Sequence, residues 1–219
     1  MAFFVFALEL VGTAAFAVSG AMVGLKKRMD VFGVCVMGLV TACGGGVLRD
    51  LFLDRLPPTM FLRPVYALTA IGVSLVMFLP AVRRALSERE RAYELVLLLS
   101  DSVGLGVFTA AGVDAAFGAG YGESLFFAVF LGAVTGVGGG VIRDVLAGMP
   151  PAIFVRHIYA LASIGGAALC ALLRPALGET AAMTACAVLV LAVRLLAAHY
   201  RWSLPKAEPI ECEPGDPKP

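Results

Sequence analysis

Ten residues recur 94 positions apart, as TACGGGVLRD from Thr41 to Asp50 and as TGVGGGVIRD from Thr135 to Asp144. Seven of the ten are identical, and Leu48/Ile142 is a conservative pair. Each copy sets three consecutive glycines and an Arg-Asp pair inside a long apolar run. Glycine weakens a helix, and a charge within lipid is costly. A duplicated, broken, charged helix is the signature of a transport pathway in a membrane.

That setting is a membrane because the chain is 60% hydrophobic and 15% charged, with a mean hydropathy of +0.91. A soluble domain is about 45–50% apolar and about 25% charged. A spanning helix needs about 20 apolar residues. Seven segments qualify, at 3–25, 31–53, 64–82, 93–117, 124–147, 157–173 and 179–198, and they predict an all-α integral membrane protein. The second, fifth and seventh spans carry charges, and the sixth is short. The first lacks a basic leader, carries Glu9 and is too long for a signal-peptide core.

The repeat extends past the ten residues. Pro57-Pro58 matches Pro150-Pro151, and Arg63-Pro-Val-Tyr66 matches Arg156-His-Ile-Tyr159. Glu9, Gly12, Phe16 and Gly20 match Asp101, Gly104, Phe108 and Gly112. The expected organisation is a three-helix repeat at 1–83, a second at 93–175, a seventh helix at 176–200 and a disordered cytoplasmic tail at 201–219. Three is odd, so the second unit enters the membrane from the opposite side, as inverted repeats do. With the N-terminus on one side, that side's loops hold 3 basic residues (Arg55, Arg63 and Arg174) and the other side holds 12, leaving out Arg49 and Arg143. The positive-inside rule puts the N-terminus outside and the C-terminus in the cytoplasm. A bacterial inner membrane is the expected location.

The triplets Gly44-Gly45-Gly46 and Gly138-Gly139-Gly140 have two readings. Small residues four apart, such as Gly38/Ala42/Gly46 and Gly132/Gly136/Gly140, let helices approach closely. That packing uses the i and i+4 positions, so the middle glycine points to a kink or a short unwound stretch. Freed carbonyls there survive only inside protein or along a water-filled cavity, where they suit a dehydrating cation. Thr41 and Thr135 either line such a pore or bond back to the preceding turn.

Arg49-Asp50 and Arg143-Asp144 follow the triplets, on opposite sides of the midplane. Consecutive helical residues point about 100° apart, so the two members need not pair. Gating or ion-attracting charges at two mouths are one reading; structural salt bridges or snorkelling to headgroups are the other. On the first reading, Arg49→Ala or Arg143→Ala changes conductance without unfolding the protein. Glu9 and Asp101 open the first and fourth spans from opposite sides, either concentrating cations or answering the helix dipole. Asp114 reads as solvated, and Tyr66 and Tyr159 as interfacial tyrosines. His157 and His199 lie near membrane ends without catalytic or metal partners. GVGGG at 136–140 is no nucleotide loop, lacking GK[ST] and a preceding strand. Four of the five cysteines lie in apolar spans without metal-ligand spacing. Neither a catalytic grouping nor a nucleic-acid site is visible, and no cofactor is expected.

Seven spans, the inverted repeat and the paired GGGVLRD and GGGVIRD motifs resemble the prokaryotic trimeric intracellular cation (TRIC) channels, which also carry the label glycine transporter. The resemblance covers about residues 1–200. It implies a homotrimer in membrane lipid, with one pore per protomer lined by glycine-bent second and fifth spans and permeable to potassium and other monovalent cations such as sodium. Animal members lose the second triplet, where a basic position contacts phosphoinositide lipid; this chain keeps both triplets and Arg143. A carrier for a small zwitterion such as glycine, and a non-transporting scaffold, are the competing readings.

Overall fold

The computed structural model describes residues 2–87, 90–155 and 158–202. Arg156, His157, Cys212 and the tail beyond Trp202 lie outside the described residues. The elements are α1 (Ala2–Lys26), α2 (Val31–Phe52), α3 (Thr59–Leu62), α4 (Val65–Phe78), α5 (Pro80–Ser87), α6 (Glu90–Gly118), α7 (Leu125–Leu146), α8 (Ala152–Val155), α9 (Tyr159–Leu177) and α10 (Glu179–His199). Six of them are long and apolar enough to cross a membrane, and the bent pair α4–α5 makes a seventh candidate. The chain is an all-helical membrane protein.

Helix ends follow local chemistry. The Asp30 carboxylate accepts the Gly33 N–H at 2.7 Å and starts α2. The Ser124 hydroxyl accepts the Phe127 N–H and starts α7, both ordinary N-caps. Gly178, at φ +80°, ends α9 and turns the chain directly into α10, a conformation that favours glycine.

The third span departs from the expected single helix over 64–82. α4 stops at Phe78, and α5 leaves it at 70°. The cause is Pro80, which cannot donate to the helical ladder and pushes the residue before it out of the α region. Leu79 accordingly sits at ψ 137°. α4 has 14 residues, about 21 Å of helix, short of the roughly 30 Å hydrocarbon core. On α5, Val82 and Leu86 turn into a cluster with Met22, Val34 and Met77, while Arg83 and Arg84 stay exposed.

α6 is the central helix, packed against α1, α7, α9 and α10. Phe16 of α1 stacks on Phe108 of α6 at 5.4 Å between ring centroids, in the middle of the bundle. α2 and α7 cross beside this stack and pack antiparallel. A Cβ at Gly45 would lie 2.1 Å from the Thr135 carbonyl oxygen, and one at Gly139 would lie 2.0 Å from that of Thr41. The two backbones therefore touch, through contacts of the Cα–H···O kind.

This corrects the expectation about the triplets. α2 and α7 are continuous α-helix through all three glycines, so there is no unwound stretch. The middle glycine is the packing residue, because the helices meet at backbone distance and not across side-chain ridges. Gly46, by contrast, has open space where its Cβ would be.

Candidate functional site: two buried charge clusters

Arg49 and Arg143, each near the end of its helix, anchor two clusters built to one plan. In the first, the Arg49 guanidinium donates to Asp50 Oδ1 at 2.9 Å and lies 3.6 Å from Glu9 of α1. The other Asp50 oxygen accepts the Thr59 N–H at 2.7 Å, so its carboxylate caps the exposed N–H end of α3. Tyr66, at the start of α4, donates its hydroxyl to Glu9. In the second, Arg143 donates to Asp144 at 2.8 Å and to Asp101 of α6 at 2.7 Å. Asp144 accepts the Ala152 N–H at 2.8 Å and caps α8 in the same manner. The double prolines ahead of α3 and α8 set these short helices against the carboxylates.

Glu9 and Ser19, on α1, belong to the first and second cluster respectively. Ten residues of helix separate the clusters by about 15 Å. They lie on opposite sides of the Phe16–Phe108 stack.

Several expectations change here. Arg and Asp do pair within each motif, because the long arginine stem folds back around the helix to its neighbour. Neither arginine snorkels: Arg49 is 7% exposed and Arg143 4%. Glu9 and Asp101 are not at helix starts. Asp101 sits eleven residues into α6 and is 1% exposed, and both acids serve as counter-ions to the arginines. Tyr66 and Tyr159 are buried within the clusters, not interfacial. Asp114 stays partly exposed and pairs with Arg174 of α9, which also stacks on Phe117.

The threonine hydroxyls are committed elsewhere. Thr41 donates to the Met37 carbonyl and Thr135 to that of Leu131, each at 2.6 Å, and both side chains are fully buried. Their own carbonyls face the opposing glycines, so hydroxyls and carbonyls alike are committed to helix and helix–helix contacts.

Sequence reasoning missed Arg194. It lies on α10, 4% exposed, with its guanidinium 3.7 Å from Asp101 and 4.7 Å from the centre of the Tyr159 ring. The available signal was a lone arginine inside the apolar seventh span. Ser19, which accepts a hydrogen bond from Arg143, carried no signal of its own.

A cavity opens beside each cluster. One, about 30 Å³, is lined by Glu9, Thr13, Gly46, Arg49, Asp50 and Tyr66, and reaches Phe108. The other, about 500 Å³ and partly open to solvent, is lined by Lys26, Lys27, Tyr93, Asp101, Arg143 and Asp144. Among the described residues no group of His, Cys, Asp and Glu is placed to hold a metal.

A family model described as glycine transporter matches residues 6–81 and 98–175. The inner membrane protein YadS of Escherichia coli K12, of the UPF0126 group, is 41% identical over 204 residues, spanning 92% of this chain and 95% of its own. A TRIC cation channel structure superposes with a TM-score of 0.82 at 33% identity, covering 94% of this chain and 98% of that one. The TRIC trimeric intracellular cation channel orthologue from Rhodobacter sphaeroides gives 0.81 at 31% identity, covering 90% and 98%.

Proposed function

The chain belongs to the glycine transporter family and has the fold of the prokaryotic TRIC cation channels, and from that premise we propose that it is a passive monovalent-cation channel. The observation that carries the reading is the pair of charged cavities, one entering from each end and separated by the Phe16–Phe108 stack. The α2–α7 crossing seals the bundle beside that stack. The path for potassium, and for sodium if selectivity is loose, runs inside one protomer from the Glu9/Arg49/Asp50 cavity to the Asp101/Arg143/Asp144 cavity. In this conformation the aromatic pair closes it. The first cavity sets two carboxylates against one buried guanidinium, a surplus of negative charge that draws cations to a mouth.

The three-helix units 1–83 and 93–175 act as inverted halves, supported by the matched Arg-Asp-tyrosine clusters. A homotrimer is supported by likeness to the trimeric Rhodobacter orthologue. An inner-membrane location follows from that of YadS. The N-terminus lies outside and the C-terminus in the cytoplasm.

One observation favours a second reading, a carrier for a small zwitterion. Glu9 and Arg49 face the same small cavity, one suited to an ammonium and the other to a carboxylate. The purified protein in a planar bilayer under a potassium gradient separates the two. Unitary current steps reversing near the potassium equilibrium potential support the channel. A silent bilayer containing folded, inserted protein refutes it and makes labelled-glycine uptake the next assay.

A further inference from the structure

The two clusters share one plan but not one charge. Glu9 and Asp50 face a single buried guanidinium, that of Arg49; Arg63, beside Tyr66, is exposed to solvent. Among the described residues, Asp101 and Asp144 face two, those of Arg143 and Arg194. The extra cation comes from α10, the one long helix without a counterpart in the repeat. A buried arginine in a membrane protein is costly unless paired, and Arg194 is 4% exposed.

Its geometry follows from this extra contact. Tyr66 gives its hydroxyl to Glu9, whereas the matching Tyr159 hydroxyl has no hydrogen-bond partner among the described residues. The Asp101 carboxylate that would accept it is held by Arg143 and Ser19 on one oxygen and faces Arg194 on the other. Tyr159 instead lies flat beneath the Arg194 guanidinium.

We propose that Arg194 is a positioning residue that neutralises Asp101 from behind, so that, with Lys26 and Lys27 also in its lining, the Asp101 cavity lacks the negative surplus of the Glu9 cavity. The channel then takes up cations unequally from its two faces. This rests on the channel reading above. Arg194 does not line the cavity and acts through the charge of Asp101.

The test is the single-channel current–voltage curve in symmetric potassium chloride, at low and high ionic strength. Arg194→Gln is expected to raise the limb carrying potassium in from the Asp101 face by about twofold at low ionic strength, the effect of one charge about 8 Å away in water. The rise shrinks as salt screens the charge. Arg194→Lys keeps the charge and the wild-type curve. Asp101→Asn alone lowers the same limb, and adding Arg194→Gln restores it, a comparison that stands even if Arg194→Gln alone fails to fold. A wild-type curve for Arg194→Gln, a Lys variant that behaves like Gln, or no restoration in the double variant overturns the proposal and leaves the channel intact. A silent wild-type protein overturns the channel reading and this proposal with it.

Discussion

Gly45 and Gly46 are neighbours on one helix with opposite tolerances. A methyl at Gly45 meets a carbonyl oxygen of the opposing backbone, which cannot swing aside as a side chain does; at Gly46 it meets nothing. Gly45→Ala and Gly139→Ala should each cost about 1–3 kcal/mol by overpacking, whereas Gly46→Ala should be neutral or gain up to about 1 kcal/mol of helix propensity. Thermal unfolding in detergent measures the difference; equal effects at 45 and 46 would contradict the crossing. The arginines also shift roles. Arg143 is the cation that bonds both Asp101 and Asp144, so Arg143→Ala should cost about 3–5 kcal/mol, the range for breaking a buried pair. Arg49→Ala should cost less, because Glu9 borders a cavity that water can enter. Melting curves that place Arg49→Ala as low as Arg143→Ala would argue against that ordering. The duplicated motif announced that these residues matter; it did not disclose how. Whether a glycine frees its own backbone or admits another depends on what lies opposite, and that partner stands 94 positions away. Tyr66 and Tyr159 were misread for a like reason: their acidic neighbours lie on other helices.

Among the elements, Pro80 sets the length of the third span. With the proline in place, α4 ends short of the membrane thickness and α5 turns away with its arginines exposed. Pro80→Ala removes the block, and α4 should extend by one to two turns. Spin labels at positions 69 and 84 then move apart toward a straight-helix spacing of about 22 Å; an unchanged distance would show that packing of Val82 and Leu86 holds the bend without the proline. Apolar runs exposed the long helices in the sequence with boundaries close to those observed, since a buried or lipid-facing helix needs little beyond length and hydropathy. α3 and α8 stayed hidden, being four residues each, too short to carry a period. Their role as N–H donors to Asp50 and Asp144 was visible only as the repeated double proline.

Across the whole molecule, the orientation argument rests on loop charge and is open to direct assay. Single cysteines placed at Arg55 and at Lys27 in a cysteine-free background should label from opposite sides of the membrane, Arg55 from outside. Labelling of both from one side would contradict the proposed topology. A chain cut between α5 and α6 should also reassemble when its two parts are co-expressed, because α1 and α2 meet α6 and α7 over large faces.

The crossing of α2 and α7 has a historical consequence. Gly45 sits on the carbonyl of Thr135 while Gly139 sits on that of Thr41. Thr41 and Thr135 are mates in the repeat, as are Gly45 and Gly139. Such an interface is isologous, a patch complementary to its own image. A lone ancestral half, inserted in both orientations, would dimerise through that patch, and fusion into one chain would inherit the contact unchanged. Divergence between such halves would begin from a working two-fold, and a helix appended after the second half would be the first place free to break it.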